Sequence, residues 1–158
     1  MQLTNRNDAA KTRANCGGLA YSNGERHFFG GNGKISIFGG EYDHGETYTQ
    51  HDYAFKNDPV ARKWSRLADM PTPKSHFEGG TVVLNNKIYA IAGQIDHELL
   101  TSEVSVYDIG TNKWSLATNF PEKRKGLAAA VFNNKIHLTG GDSHQNGQPR
   151  DLWVGTIG

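Results

Sequence analysis

One cysteine, Cys16, occurs in 158 residues, so the chain can build neither an intramolecular disulfide nor a cysteine metal cluster. No run of about twenty apolar residues is present to span a bilayer. The opening stretch MQLTNRNDAAKTRANCGG lacks the apolar core of a secretory signal and carries no address that would assign a compartment. Neither sign of charge dominates: 17 Lys and Arg face 16 Asp and Glu, for a net charge of +1. The densest basic stretch, Lys123-Arg124-Lys125, reads as a solvated loop, and neither nucleic acid nor a membrane surface is expected as a partner. No segment sustains an apolar period of 3.6, which predicts an almost helix-free chain. Motifs for chemistry are also missing. There is no Ser-His-Asp arrangement and no phosphate loop, and His44 and His51 lack the glutamate of a helical zinc motif.

Glycine, by contrast, is abundant, with 19 residues, many of them paired: 17–18, 30–31, 39–40, 79–80 and 140–141. NGKISIFGG (32–40), NNKIYAIAG (85–93) and NNKIHLTGG (133–141) align at spacings of 53 and 48 residues, and a period near fifty signals a repeat architecture. Each unit begins with small and β-branched residues, as in GGTVVL and GLAAAVF. An Asn-Gly or Asn-Asn pair follows, suited to the positive φ of a two-residue hairpin, and then a Lys-Ile strand ending in glycine. These are strands A and B. After a polar loop, SEVSVYDIGTNKW (102–114) and YAFKNDPVARKW (53–64) each place Asp six residues before Trp, giving strand C, a turn opened by Asp108 or Asp58, and strand D. Proline-containing links, LADMPTPKSH and LATNFPEKRKG, lead to the next strand A.

The third unit is shorter. RDLWVGTIG superposes on SEVSVYDIG, which sets Trp153 level with Ser105 and leaves no strand D. CGGLAYSNGERHFFGG (16–31) is a weaker echo of strands A and B, a partial hairpin, and residues 1–15 read as an extended or disordered N-terminal segment. The expected division is thus a repeat region over 16–158, with blades at about 22–67, 76–117 and 126–158.

Glycine closing strand B, Tyr-Asp closing strand C and the later Trp resemble the kelch repeat, whose units are four-stranded blades of a β-propeller. The resemblance implies an all-β fold of about three four-stranded antiparallel blades, a partial or half propeller. It covers residues 22–158 with departures at Asn57, Ala92 and Gly155. Closed rings have about 4 to 8 blades. The chain is therefore expected to be the C-terminal half of a longer protein, or one of two copies forming a six-bladed homodimeric ring. The DLWVGTIG ending fits a true C-terminus, because kelch rings commonly finish the last blade with a strand from the other end. The resemblance implies a bacterial kelch protein, and related kelch proteins are often secreted or periplasmic.

Antiparallel counting puts the B-to-C loops and the D-to-A links on one face. The loops EYDHGETYT, QIDHELLT and DSHQNGQP carry Glu41, Asp43 and His44; Gln94, Asp96 and His97; and Asp142 and His144. The links add Lys74, His76, Arg124, Lys123 and Lys125. Such a face supplies directional donors and acceptors for a glycan or a protein surface, while the bland alternative is a set of solvated loops. Equivalent loops diverge around a ring, so no metal is expected, and no cofactor is implied. His137, within strand B, reads as a satisfied core or edge histidine.

The expected function is a non-catalytic binding module acting through these loops and links. The resemblance also admits a sugar epimerase or mutarotase of the N-acetylneuraminate epimerase type, with Glu41 or Asp142 beside Arg124 for acid-base work. No motif matches residue by residue. Copper radical oxidases resembling galactose oxidase share the scaffold, yet Cys16 falls in the weak echo and carries no matching motif. A truncated half-propeller without independent function is the remaining reading.

Overall fold

The computed structural model describes residues 35–42, 49–144 and 149–157. The partial hairpin at 16–31, the segment 1–15, Asp43 and His44 lie outside the described residues. Among those described there are strands and no helix. The first unit comprises β1 (Ile35–Phe38), a short ladder of β2 (Glu41–Tyr42) with β3 (Thr49–Gln50), then β4 (Ala54–Asp58) and β5 (Lys63–Arg66). The second comprises β6 (Thr81–Leu84), β7 (Lys87–Asp96), β8 (Leu99–Asp108) and β9 (Lys113–Leu116). The third comprises β10 (Ala128–Phe132), β11 (Lys135–Thr139) and β12 (Leu152–Thr156). Sheet orders are β1-β4-β5, β6-β7-β8-β9 and β10-β11-β12, all antiparallel between neighbours. These are blades of a partial propeller.

Local chemistry sets the registers. Asn85-Asn86 and Asn133-Asn134 all hold positive φ, between 49° and 59°, which closes the A–B hairpins in the twist their strands require. Asp58 Oδ1 accepts from the N–H groups of Val60 and Ala61, and Asp108 Oδ1 from that of Thr111, making the C–D turns. Tyr107 stands opposite Ile88 and Trp114 opposite Tyr107. Trp153 pairs with Leu138 where Ser105 pairs with Ala90, the equivalence expected from the repeat.

The B-to-C segment of the second unit departs from a simple polar loop. Bulges between Ile91 and Gly93 and between Gln94 and Asp96 let β7 and β8 continue as one long hairpin, pairing Gln94 with Leu100 and Asp96 with Leu99. Leu100 is buried under this extension, which repays its apolar side chain.

Side chains alternate across β7, so Tyr89 and Ile91 enter the cluster shared with the third unit, while Ile88 and Ala90 enter the cluster shared with the first. Covered on both faces, β7 is buried from Ile88 to Gln94, whereas β11 buries only Ile136 and Leu138. Phe38 is fully buried against Tyr107 and Trp114, its ring centroid 5.2 Å from that of Trp114. Burying such a ring stabilises by roughly 1.5–3 kcal/mol. The Trp114 indole N–H also donates to the Ala68 carbonyl at 2.8 Å, tying strand D of one unit to the link that leaves the previous one.

Strand B ends in the same unusual conformation in all three units: φ is 57°, 60° and 67° at Gly39, Ala92 and Gly140, then 103°, 115° and 88° at Gly40, Gly93 and Gly141. In the second and third units the tight requirement falls on the second position, whereas in the first unit a Cβ on Gly39, at the first position, would already clash with the Lys74 carbonyl oxygen. A Cβ on Gly93 would meet the Ser75 carbonyl oxygen at 2.6 Å, and one on Gly141 the Lys125 carbonyl oxygen at 2.7 Å. The glycines thus admit the backbone of the link, with Phe77 or Leu127 at the next closest distance. Gly93→Ala is expected to cost about 2 kcal/mol or more in urea unfolding. Ala92→Gly is expected to change stability by less than about 1 kcal/mol, because relief of the left-handed alanine offsets the added backbone freedom and the lost methyl.

Candidate functional site

The face expected from antiparallel counting is built by direct contact between link and corner. Ser75 bridges to Gln94 and Lys125 to Asp142 in short antiparallel pairs. Neighbouring units are joined in the same place: the Gly40 N–H donates to the Lys74 carbonyl at 2.9 Å and the Gly93 N–H to the Arg124 carbonyl at 2.8 Å. Each link is therefore held between the glycine corner of the unit before it and that of its own unit.

This arrangement takes two predicted contact residues out of solvent. Lys74 and Arg124 occupy equivalent link positions and both are 0% exposed. The Lys74 ammonium donates to the Ala90 carbonyl at 3.0 Å and the Glu103 carbonyl at 3.3 Å, and lies 3.7 Å from the Glu103 carboxylate. Glu103 also accepts from the hydroxyls of Thr72 and Ser105, both at 2.6 Å. In the next unit Arg124 makes a two-pronged pair with Asp151 at 2.7 and 2.6 Å, donates to Glu122, and reaches the Gly140 carbonyl at 3.1 Å. Burial lowers the Lys74 ammonium to about 8, against the pull of Glu103. The hydrogen bonds from Arg124 lower the Asp151 carboxyl to about 2, and those of Asp151 raise the guanidinium. Glu103 and Asp151 stand at the same place in strand C, and aligning the repeats on these carboxylates as well as on the glycines would have exposed the pairing.

The innermost loop residues are likewise engaged. Glu41, 1% exposed, accepts from the Ser75 hydroxyl at 3.0 Å and the Gln50 amide at 3.3 Å, with His76 Nδ1 at 3.6 Å. Gln94, also 1% exposed, donates to the His97 carbonyl and accepts from the Lys125 ammonium at 3.0 Å. Asp142 is more open and accepts from the His144 N–H at 2.9 Å, with its other oxygen 3.3 Å from His144 Nδ1. Asp96 and His97 sit at the exposed tip of the β7–β8 hairpin, where Asp96 Oδ1 accepts from the His97 N–H and the His97 ring neighbours Glu98. His76 is partly exposed, its Nδ1 2.8 Å from the Ser75 hydroxyl. His137 lies in β11 as expected, but its Nε2 is buried without a partner among the described residues, and its ring meets the edge of Phe132. No group of three His, Cys, Asp or Glu among the described residues is placed to hold a metal ion.

Two clefts open on this face. One, of about 500 Å³, is lined by His76, Lys125, the Gly140-Gly141-Asp142 corner and Arg150. The other, of about 300 Å³, lies among Glu98, Glu122, Lys123 and His144.

The repeated blade and its glycine corner define a class, and the comparisons agree with it. The kelch motif model matches residues 78–121, the whole of the four-stranded unit. Kelch-like protein 15 of Mus musculus is 39% identical over 87 residues, which is 55% of this chain and 14% of that protein. Alpha-scruin of Limulus polyphemus is 34% identical over 87 residues, 55% of this chain and 9% of its own. Spermatocyte protein spe-26 of Caenorhabditis elegans is 32% identical over 84 residues, 50% of this chain and 15% of its own. Residues 78–121 thus carry a kelch motif, and the chain is similar to these proteins over about half of its own length. It spans only a small part of the length of these relatives.

The buried cation has a pH signature. Folding lowers the Lys74 ammonium from 10.5 to about 8, so between these values the unfolded chain binds more protons and stability rises with pH. Tyr107 has the opposite sign: burial raises its phenol from 10.0 to about 12, so stability falls with pH over that window. Unfolding followed across this range should show a gain and then a loss, with the gain removed by Lys74→Met and the loss by Tyr107→Phe. Asp151→Ala, which leaves Arg124 with Glu122 alone in place of its two-pronged partner, should lower the midpoint of urea unfolding.

Proposed function

We infer that this chain is a non-catalytic propeller module that binds a protein through the face made by its B-to-C hairpins and D-to-A links. The observation that carries the reading is the division of polar groups on that face. The groups an epimerase would need inside, Glu41 and Arg124, are buried and hydrogen-bonded to the scaffold. The groups at the hairpin tips and link crests, among them Asp96, His97, Lys123 and His144, remain exposed. A face that spends its interior on rigidity and presents short polar tips suits surface recognition more than acid-base chemistry. The named relatives, kelch-like proteins and scruin, support the same class.

Protein is favoured over glycan because, among the described residues, neither cleft on this face is lined by Tyr, Trp or Phe, the side chains on which a sugar ring stacks. Site-specific photo-crosslinking in the cell of origin tests the reading. Crosslinkers at His97 and Lys123 should give protein adducts that are absent for crosslinkers at Lys113 and Lys135. Equal adducts from both sets, or none from the loop face, would overturn it.

A further inference from the structure

We propose that His76 and Glu41 form a pH-dependent clasp between the first and second units, drawn tight when the imidazole becomes cationic. The residue stands where three units meet. His76 belongs to the link that leads into the second unit, and its Nδ1 lies 3.6 Å from the Glu41 carboxylate at the corner of the first. Its carbonyl accepts at 2.9 Å from the N–H of Gly126, in the link that leads into the third. His76 holds φ at 54° where the equivalent Gly126 has 64°, a left-handed conformation that suits glycine better than any L side chain. The imidazole is therefore carried at a position where the other link has no side chain at all.

The two corners differ in where they place the charge. At the second, the Lys125 ammonium of the link donates to the neutral Gln94 amide oxygen at 3.0 Å. At the first, the equivalent pair is the neutral Ser75 hydroxyl donating to the Glu41 carboxylate at 3.0 Å, so the charge sits in the corner and out of water. Because Ser75 gives its one hydroxyl hydrogen to Glu41, the 2.8 Å contact between its Oγ and His76 Nδ1 has Nδ1–H as the donor. A hydrogen-bonded row thus runs from Nδ1–H through the Ser75 hydroxyl to Glu41. Protonation at Nε2 makes the ring cationic beside the buried carboxylate and polarises both bonds of the row toward it. The charged groups facing His76 across the larger cleft are Lys125 and Arg150, which oppose the added charge, and Asp142, which favours it. Among the described residues, the carboxylate that pairs with the ring is Glu41. The clasp accordingly strengthens on mild acidification and is lost as pH rises and the ring returns to neutral.

The test is a double-mutant cycle on the full chain, with Glu41→Gln, His76→Gly and the double variant unfolded in urea at about pH 5.5 and about pH 8. Both replacements are the residues found at the second corner, Gln94 and Gly126, so the blade admits them. At the acid pH each single change should lower the unfolding midpoint, and the double variant should lie no lower than the weaker single one. At the alkaline pH the coupling should fall to less than about half, since only the neutral row remains. The added backbone freedom of the glycine and the titration of Lys74 are shared within each comparison and cancel. Should His76→Gly not fold, His76→Asn, which also tolerates the left-handed backbone, takes its place in the same cycle. Coupling of equal size at the two pH values, or none at the acid one, would overturn the proposal.

Discussion

The close approach of each D-to-A link to a glycine corner organises everything else in the chain. Where Gly93 faces the Ser75 carbonyl and Gly141 the Lys125 carbonyl, there is no room for even a methyl group. The backbone bonds from Gly40 to Lys74 and from Gly93 to Arg124 then fix one unit against the next. Because the link sits between two corners, the side chains it carries cannot choose freely between solvent and core. Those at one phase of the link go inward, as Lys74, Phe77, Arg124 and Leu127 do, while Pro71, Pro73 and Lys123 stay out.

Putting a cation inward is costly unless the interior supplies compensation. The two units solve this differently. Lys74 is met by backbone carbonyls and one carboxylate at 3.7 Å, and its ammonium is left easier to deprotonate than a free lysine. Arg124 receives two carboxylates and a carbonyl, and its charge is reinforced. The planar guanidinium can satisfy Asp151 with parallel bonds, which an ammonium cannot do, so the Lys and Arg at one repeat position are not equivalent. With its own scaffold holding these charges, the face leaves exposed, among the described residues, groups at its crests such as Asp96, His97, Lys123 and His144.

Much of the fold was legible because its determinants are local. The Asn-Asn turns, the Asp-opened C–D turns and the alternation along β7 each follow from a few adjacent residues, and the repeat confirmed the register down to Trp153 against Leu138. The site was less legible. Antiparallel counting brought loops and links to one face, yet it could not show that Glu41, Lys74, Gln94 and Arg124, named as candidate contacts, are buried where the links fold over the corners. The extension of β7 and β8 past Gly93 was also hidden, since QIDH reads as polar loop while the buried Leu100 that anchors the hairpin belongs to the opposite strand.

The sequence by itself determined the period, the turns, the strand order within a unit and the left-handed corner that closes strand B, because each depends on backbone conformation within a few residues. Ala92 shows how strong that determination is, for an alanine holds φ at 60° where the neighbouring repeats have glycine. Only the tertiary structure decided which charges are scaffold and which are surface. That depends on the blade lying next to a residue, and the same link position is core or solvent according to what its neighbour brings within hydrogen-bonding distance.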